Sequence, residues 1–399
     1  MRVLFLSPRQ SWPAVSGAKL RDYHFAKALG ERTQLTYAYF SERGGESPSP
    51  ERFPFCESLI AIPAPEMYTP RKILRGMFGR WPLPVVNYTS PAMEDAICKT
   101  ISASSFDLVH LDSLHMAAYV PLLGGARVVY NWHNIESELM SRFAEGTLSI
   151  ARRMYGTLTA RRLAALEKEL LESAFGHVVC SQREKDQLLA VVPGARIAVI
   201  ENGVDAAGFP GVFPGGTGSG AGRKRLVFVG SMSYHANIDA AVWFTRHIWP
   251  GIHRRFPEWK LTLVGSNPTP AVLALRGEAI EVTGTVPSVA PYYEDALAAI
   301  VPLRTGGGTR LKILEAMAAG VPVISSTLGA EGLAVSPGEN ILIADDEKSW
   351  IEALDSIFSD EARWRQIAAA GRSLVEFRYD WSVLGKTLFE TYRDWLKLA

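Results

Sequence analysis

Short apolar runs alternate along this chain with stretches whose apolar positions recur at helical spacing, and a polar or glycine-rich turn closes each run. Residues 2–7 read as a first strand, 19–29 as a helix carrying Leu20, Phe25, Ala28 and Leu29, and 34–40 as the next strand. Further strands are predicted at 106–111, 126–131, 177–181 and 197–200, while 41–65, rich in Ser, Gly, Pro and Glu, read as irregular. Glycine dominates 206–222, which interrupts the pattern as a linker does. The alternation then restarts, with strands at 226–229, 260–264, 280–283, 299–303 and 321–325 and a helix at 238–248. Strands that alternate with helices predict parallel sheets. The expected architecture is therefore α/β, with a first domain at 1–205, a glycine-rich linker at 206–224 and a second domain from 225, and a cleft between the halves as the default ligand site.

One stretch departs from this regularity. After the 299–303 strand come Gly306, Gly307 and Gly308, which let the backbone bend closely around a ligand. Thr309 is placed to cap the helix that follows, and Gly320 to end it. Arg310 and Lys312 fall in the first turn, where cations oppose the helix dipole at a cost of a few tenths to about 1 kcal/mol each. An anion bound at the free N–H groups of that turn reverses the sign. At 100° per residue Lys312 and Glu315 share a face that looks outward, while Leu311, Leu314 and Ala318 face the core; the bland reading is a surface Lys/Glu pair.

Composition removes several function classes. Lys and Arg number 42 against 41 Asp and Glu, so the balance does not mark a nucleic-acid binder. Cys56, Cys98 and Cys180 are too few and too scattered for a metal site or disulfide framework, and a reduced, cytoplasmic protein is expected. No secretory signal or membrane-spanning run is read. The first βα turn lacks GxGxxG and offers only Gly17, which weakens a nicotinamide or flavin enzyme. His115 and His133 both follow strand ends, where open parallel sheets bind ligands; His133 sits in the denser polar cluster and is the candidate to face substrate. Asn202-Gly203 reads as a tight turn ending the first domain. Residues 67–93 interleave Arg71, Lys72, Arg75 and Arg80 with Ile73, Leu74, Met77, Phe78 and Trp81, with no acid between Glu66 and Glu94. A second basic segment, 150–165, carries Arg152, Arg153, Arg161 and Arg162. Both suit peripheral contact with an anionic membrane, and a solvated face over a core helix is the alternative.

Asn202-Gly203-Val204-Asp205, Phe228-Val229-Gly230, Val264-Gly265, Val282-Thr283-Gly284-Thr285-Val286 and the run from Gly306 to Val323 occur in an order and spacing that resembles glycosyltransferase family 4, the group 1 sugar transferases of GT-B fold. Tyr379-Asp380-Trp381 and Tyr392 resemble the family's final helix, here 377–399, which crosses back onto the N-terminal domain and leaves 225–376 as the nucleotide-sugar domain. The resemblance implies two Rossmann-like domains, a metal-independent retaining transfer with a nucleotide diphosphate sugar as co-substrate and no other cofactor, and a saccharide or lipid-linked acceptor held by the first domain. It implies a diphosphate held by Gly306, Gly307, Gly308 and Thr309 with Arg310 and Lys312, and ribose hydroxyls accepted by Glu315. It further places Gly284, Thr285 and Val286 near the base, Gly17 in the N-terminal glycine loop and His133 near the sugar.

Two departures qualify the likeness. Gly307 occupies the position of a first glutamate that contacts the donor sugar, and Ser231 and Ala236 stand where the family often carries an Arg and a Lys. Arg310 and Lys312 are the expected replacements for those cations. A sugar-nucleotide epimerase of the same fold, or a non-catalytic nucleotide-sugar-binding subunit, is the rival function.

Overall fold

The computed structural model describes residues 1–42, 50–209, 223–306 and 310–397, which form two compact units. The first comprises Met1–Glu201 and Leu384–Ala399, the second Asn202–Val383.

Among the described residues the first unit holds seven parallel strands: β1 (Arg2–Ser7), β2 (Gln34–Ser41), β3 (Ser58–Pro63), β4 (Leu108–Asp112), β5 (Val128–Asn131), β6 (Gly176–Val179) and β7 (Ile197–Val199). Their order is β3-β2-β1-β4-β5-β6-β7. Val3, Leu4, Phe5 and Leu6 are all buried, as expected of a central strand covered on both faces. The apolar runs end abruptly in polar residues: Ser7 closes β1, Asp112 β4 and Asn131 β5, each fully buried. The second unit orders β8 (Arg225–Val229), β9 (Lys260–Val264), β10 (Ile280–Val282), β11 (Ala296–Val301), β12 (Val323–Ser325) and β13 (Leu342–Ile343) as β10-β9-β8-β11-β12-β13. In each sheet the direction of winding reverses beside the first strand of the unit, between β1 and β4 and between β8 and β11. Ligands of open α/β sheets bind outside the carboxyl ends of strands at such a switch point. The architecture is that of the two-domain α/β GT-B fold.

Several sequence expectations change. Residues 58–63, read as irregular, form the edge strand β3, which pairs in parallel with β2 from Thr36↔Ser58 to Ser41↔Pro63. An edge strand needs only one partner and one apolar side, so its alternation is weak. The first unit closes at Glu201 rather than residue 205. Val204 instead donates its N–H to the Tyr379 carbonyl at 2.9 Å and accepts from the Trp381 N–H at 3.2 Å, which draws Asn202–Asp205 into the second unit. Residues 206–208 form a short 3-10 turn there, while 210–222 of the expected linker lie outside the described residues. The last helix, Trp381–Leu396, joins the first unit from Leu384 onward. There Leu388 and Tyr392 are buried, and the Tyr392 hydroxyl meets His110 Nδ1 at 2.6 Å.

Candidate functional site

The polar ends of β1, β4 and β5 converge on one charged cluster. The helix Gly17–Gly30 is capped at Ser16, whose side chain accepts from the Lys19 N–H, and it turns Arg21 and Asp22 into the protein along with Phe25 and Leu29. Asp22 accepts from Ser7 Oγ at 3.1 Å and pairs with Arg9 at 3.1 Å. Arg9 also reaches Asp112 at 3.3 Å. His133, two residues beyond β5, places Nε2 at 3.0 Å from Asp112 Oδ1 and 3.2 Å from Asp22 Oδ1. Asn131 donates to Asp112 Oδ1 at 2.6 Å and accepts from Arg21 Nε at 3.0 Å; Arg21 in turn donates to the Ile200 carbonyl at 2.8 Å. Nearly every polar atom at the switch point is thus held by another.

This company decides protonation. Although burial alone would depress it, the two carboxylates raise the His133 imidazole to about 8, so it is a cation near neutrality. His133 and Arg9 hold Asp112 well below the usual carboxylate range against the opposing effect of its own burial. Burial and the neighbouring Asp112 carboxylate raise Asp22. His115 stays apart: its Nδ1 meets Ser113 Oγ at 2.5 Å, and burial lowers it to about 4, leaving it neutral. Asp22, Asp112 and His133 also offer ligand atoms within 4.8 Å of one another, a spacing that suits a metal ion. The Arg9 guanidinium, however, already supplies the two carboxylates with a counter-charge.

The second cluster lies at the ends of β8 and β11. Arg310 precedes the helix Leu311–Ala318 as its cap residue without a side-chain cap bond. The expected cap Thr309, with Gly307 and Gly308, falls outside the described residues. Arg310 does not project outward. It is buried, and its Nη2 donates back to the Gly306 carbonyl at 3.0 Å and the Leu328 carbonyl at 3.4 Å. Gly306 adopts φ +104°, and a Cβ there would stand 2.9 Å from Ala236 Cβ. Lys312 is half-buried rather than outward-looking. Its Nζ donates to Asn237 Oδ1 at 2.5 Å and lies 4.6 Å from the centre of the Phe228 ring, while Asn237 Nδ2 is anchored on the Ser231 carbonyl at 2.8 Å. Burial, aided by the nearby Arg310 charge, lowers the Lys312 ammonium to about 7. Gly230 is bare for a reason: a Cβ would sit 2.7 Å from Asn237 Nδ2 and 2.9 Å from Lys312 Nζ. The expected surface Lys312/Glu315 pair therefore gives way to a lysine held by a neutral amide. Glu315, one turn later, is half-buried and raised above the ordinary carboxylate range by burial, partly offset by Lys312.

Gly284, Thr285 and Val286 follow β10, with Gly284 at φ +80° and Thr283 Oγ1 bonded to the Gly284 carbonyl at 2.9 Å. Gly17 opens the first helix, at the same strand-end edge as the His133 cluster. Arg9, Asp22, Asp112 and Asn237 escape sequence reasoning. A signal existed for two of them: Asp22 falls on the apolar face of its helix, and Asp112 ends an otherwise apolar strand.

Comparison with known proteins gives the same picture in two parts. Residues 23–207 match the family described as Glycosyltransferase Family 4, and 223–360 match Glycosyl transferases group 1. A 44.6 kDa protein of the cps region of Klebsiella pneumoniae is 26% identical over 176 residues, covering 42% of this chain and 45% of that protein. The chain thus spans less than half the length of that relative. Glycogen synthase of Mycobacterium tuberculosis is 25% identical over 301 residues, 72% of this chain and 68% of its own length. Among solved structures, sucrose-phosphate synthase from Thermosynechococcus elongatus superposes over the whole of both chains with a TM-score of 0.70 at 19% identity, a likeness of fold.

Proposed function

Because the chain belongs to the group 1 glycosyltransferases of family 4, we propose that it moves a sugar, with retention of configuration and without a metal, from a nucleotide diphosphate sugar to a saccharide or lipid-linked acceptor in cell-surface polysaccharide or glycolipid synthesis. The second unit binds the donor and the first the acceptor. The observation that carries this reading is Lys312: a half-buried lysine at the head of a helix, lowered to about 7, with a neutral amide for its hydrogen-bond partner. A group so placed is stabilised by an arriving anion, and the diphosphate is the anion this reaction sheds. Arg310, bonded to the Gly306 and Leu328 carbonyls, contributes fixed positive charge at the head of the same helix. Glu315 offers an acceptor-only carboxylate suited to two ribose hydroxyls.

No general base is assigned. His133 is charged near neutrality and its Nε2 is engaged by two carboxylates, so it is unfit to remove a proton. In this reading its role is to orient hydroxyls and to add positive charge, and catalysis rests on positioning and on stabilising the leaving diphosphate. The test is a thermal-shift screen of UDP-, GDP- and ADP-sugars, followed by transfer assays and NMR of the product anomer. A donor that binds raises the melting temperature by mass action. Stabilisation by no nucleotide sugar, or an inverted anomer, defeats the proposal; binding without transfer to any acceptor favours the non-catalytic subunit.

A further inference from the structure

The helix Pro70–Phe78 breaks the rule that an amphipathic helix buries its apolar side. Of its residues only Gly76 is buried. Leu74 is 61% and Phe78 78% exposed, with Ile73 and Met77 also in water. The helix is nonetheless firmly placed. Thr69 caps it and Pro70 opens it, while Lys72 Nζ donates inward to the Asn87 carbonyl at 2.7 Å. At its far end Arg162, on the helix Ile150–Ser173, donates to the Gly76, Met77 and Gly79 carbonyls. These contacts tie the Pro70–Phe78 helix to the helix Ile150–Ser173, whose first turns carry a second exposed stripe. Ile150, Met154 and Leu158 recur at four-residue spacing on one face of their helix and are 75%, 69% and 50% exposed.

Charge says what covers this face. Arg71 and Arg75 on the first helix and Arg152, Arg153 and Arg161 on the second are exposed, and no acid occupies the first turn of either helix. Cations in a first turn oppose the helix dipole unless an anion faces them. The sequence contains no acid from 67 to 93 or from 146 to 166. Glu138 is matched by Arg142 and Arg183 and Glu169 by Arg80, while Glu145 borders the pocket that Arg153 and Arg161 also line, which leaves Arg71, Arg75 and Arg152 as the cations turned to solvent. A second copy of this chain would meet a cationic face with its own, whereas an anionic bilayer offers phosphates to the arginines and hydrocarbon to the leucines and phenylalanine. Among the described residues no helix is long and apolar enough to cross a membrane, so the contact is lateral.

We propose that the face formed by the Pro70–Phe78 helix and the first turns of the Ile150–Ser173 helix docks on the surface of an anionic lipid bilayer. The docking uses none of the residues assigned to the transfer reaction. Its test is co-sedimentation of the whole chain, without donor or acceptor, with vesicles of phosphatidylcholine alone or with about one-third phosphatidylglycerol. Each arginine in the field of such a surface contributes roughly fivefold to binding. The chain binds the anionic vesicles, binds the neutral ones at least about tenfold more weakly, and is released by high salt. Leu74→Ser with Phe78→Ser, and separately Arg71→Glu with Arg152→Glu, each reduce anionic-vesicle binding at least about tenfold while leaving the melting temperature intact. Equal partition onto both vesicle types, binding to neither, or variants that bind as the parent does would each overturn the proposal. So would a dimer in solution that Leu74→Ser with Phe78→Ser converts to monomer, since the face then belongs to a second copy. Because nucleotide is absent throughout, failure here leaves the transfer reaction standing, and failure of transfer leaves the docking result standing.

Discussion

Diphosphate binding should take up a proton, and Lys312 should be where it goes. In the ligand-free protein the ammonium titrates at about 7 because burial and Arg310 disfavour its charge. At about pH 8 roughly one molecule in eleven then carries the proton, so a diphosphate that restores the ordinary lysine range takes up about 0.9 proton, against about 0.1 near pH 6. Affinity should accordingly fall towards tenfold per pH unit above about 7 and flatten below it. The assay is calorimetric titration of the stabilising nucleoside diphosphate in two buffers of different ionisation heat, at about pH 6, 7, 8 and 9. The ligand's own last phosphate proton titrates near the bottom of this window, at about 6, and Lys312→Met corrects for it, because that variant keeps the ligand and loses the ammonium. The same variant tests the sign in the apo protein. Since the folded value lies below the unfolded one, Lys312 destabilises most where both states are charged, below about pH 7, and the penalty vanishes above the ordinary lysine range. The shift sets a ceiling of about 5 kcal/mol on that penalty. Relaxation and the lost amide contact reduce it, so Lys312→Met should raise the melting temperature by a few degrees at neutral pH. Proton uptake equal in parent and variant, or affinity flat between about pH 7 and 9, would refute the reasoning.

His133 gives the opposite pH signature. Its folded-state value of about 8 lies above that of the unfolded chain, so it contributes stability, about 2 kcal/mol, that is complete below about pH 6.5 and lost as pH rises through about 8. Urea unfolding of the parent and of His133→Gln should therefore differ clearly near pH 6 and converge near pH 9; a gap that does not change with pH refutes the ion-pair assignment. Glu315→Gln replaces an acceptor-only group with one that also donates. Nucleoside diphosphate affinity should fall about 10- to 100-fold, in line with the 1.5–3 kcal/mol of a charged hydrogen bond, while the deoxyribose analogue should lose much less. Equal losses for both would remove Glu315 from the ribose.

Most strands and the helix after the glycine run were legible because their causes are local. Parallel strands buried on both faces are continuous apolar runs, and a first turn bearing Arg310 and Lys312 violates a rule of helix electrostatics visible in one dimension. The edge strand β3 was not legible, since half its surroundings are solvent and its ladder partner is distant in sequence. The Asn237–Lys312 contact joins residues 75 apart in sequence, and the Arg9–Asp112 pair joins residues 103 apart. Neither separation has a periodic trace. Yet the buried charge of Asp22 on an apolar helix face, and the polar residues that terminate β1, β4 and β5, were present as anomalies in the pattern. They mark the switch point as plainly as the glycines do.

The two switch points are built from similar cations but are balanced differently, and that difference supports the proposed placing of the ligands. In the first unit Arg9 and His133 face Asp22 and Asp112 at 3.0–3.3 Å, so each charge is answered within the protein. A diphosphate there would have to displace two buried carboxylates or share their cations, and either costs several kcal/mol. Neutral hydroxyls face no such barrier, since carboxylate oxygens accept from them. In the second unit Lys312 has an amide for its partner and Arg310 has carbonyls, which are dipoles rather than counter-ions. Lys312, whose hydrogen-bond partner beside β8 is a neutral amide and which burial disfavours as a cation, is therefore the group there that an anion stabilises most. Charge balance alone thus favours donor diphosphate in the second unit and sugar hydroxyls in the first. Lys312→Met should accordingly weaken diphosphate binding far more than Arg9→Met does, and a larger loss from Arg9→Met would reverse the assignment.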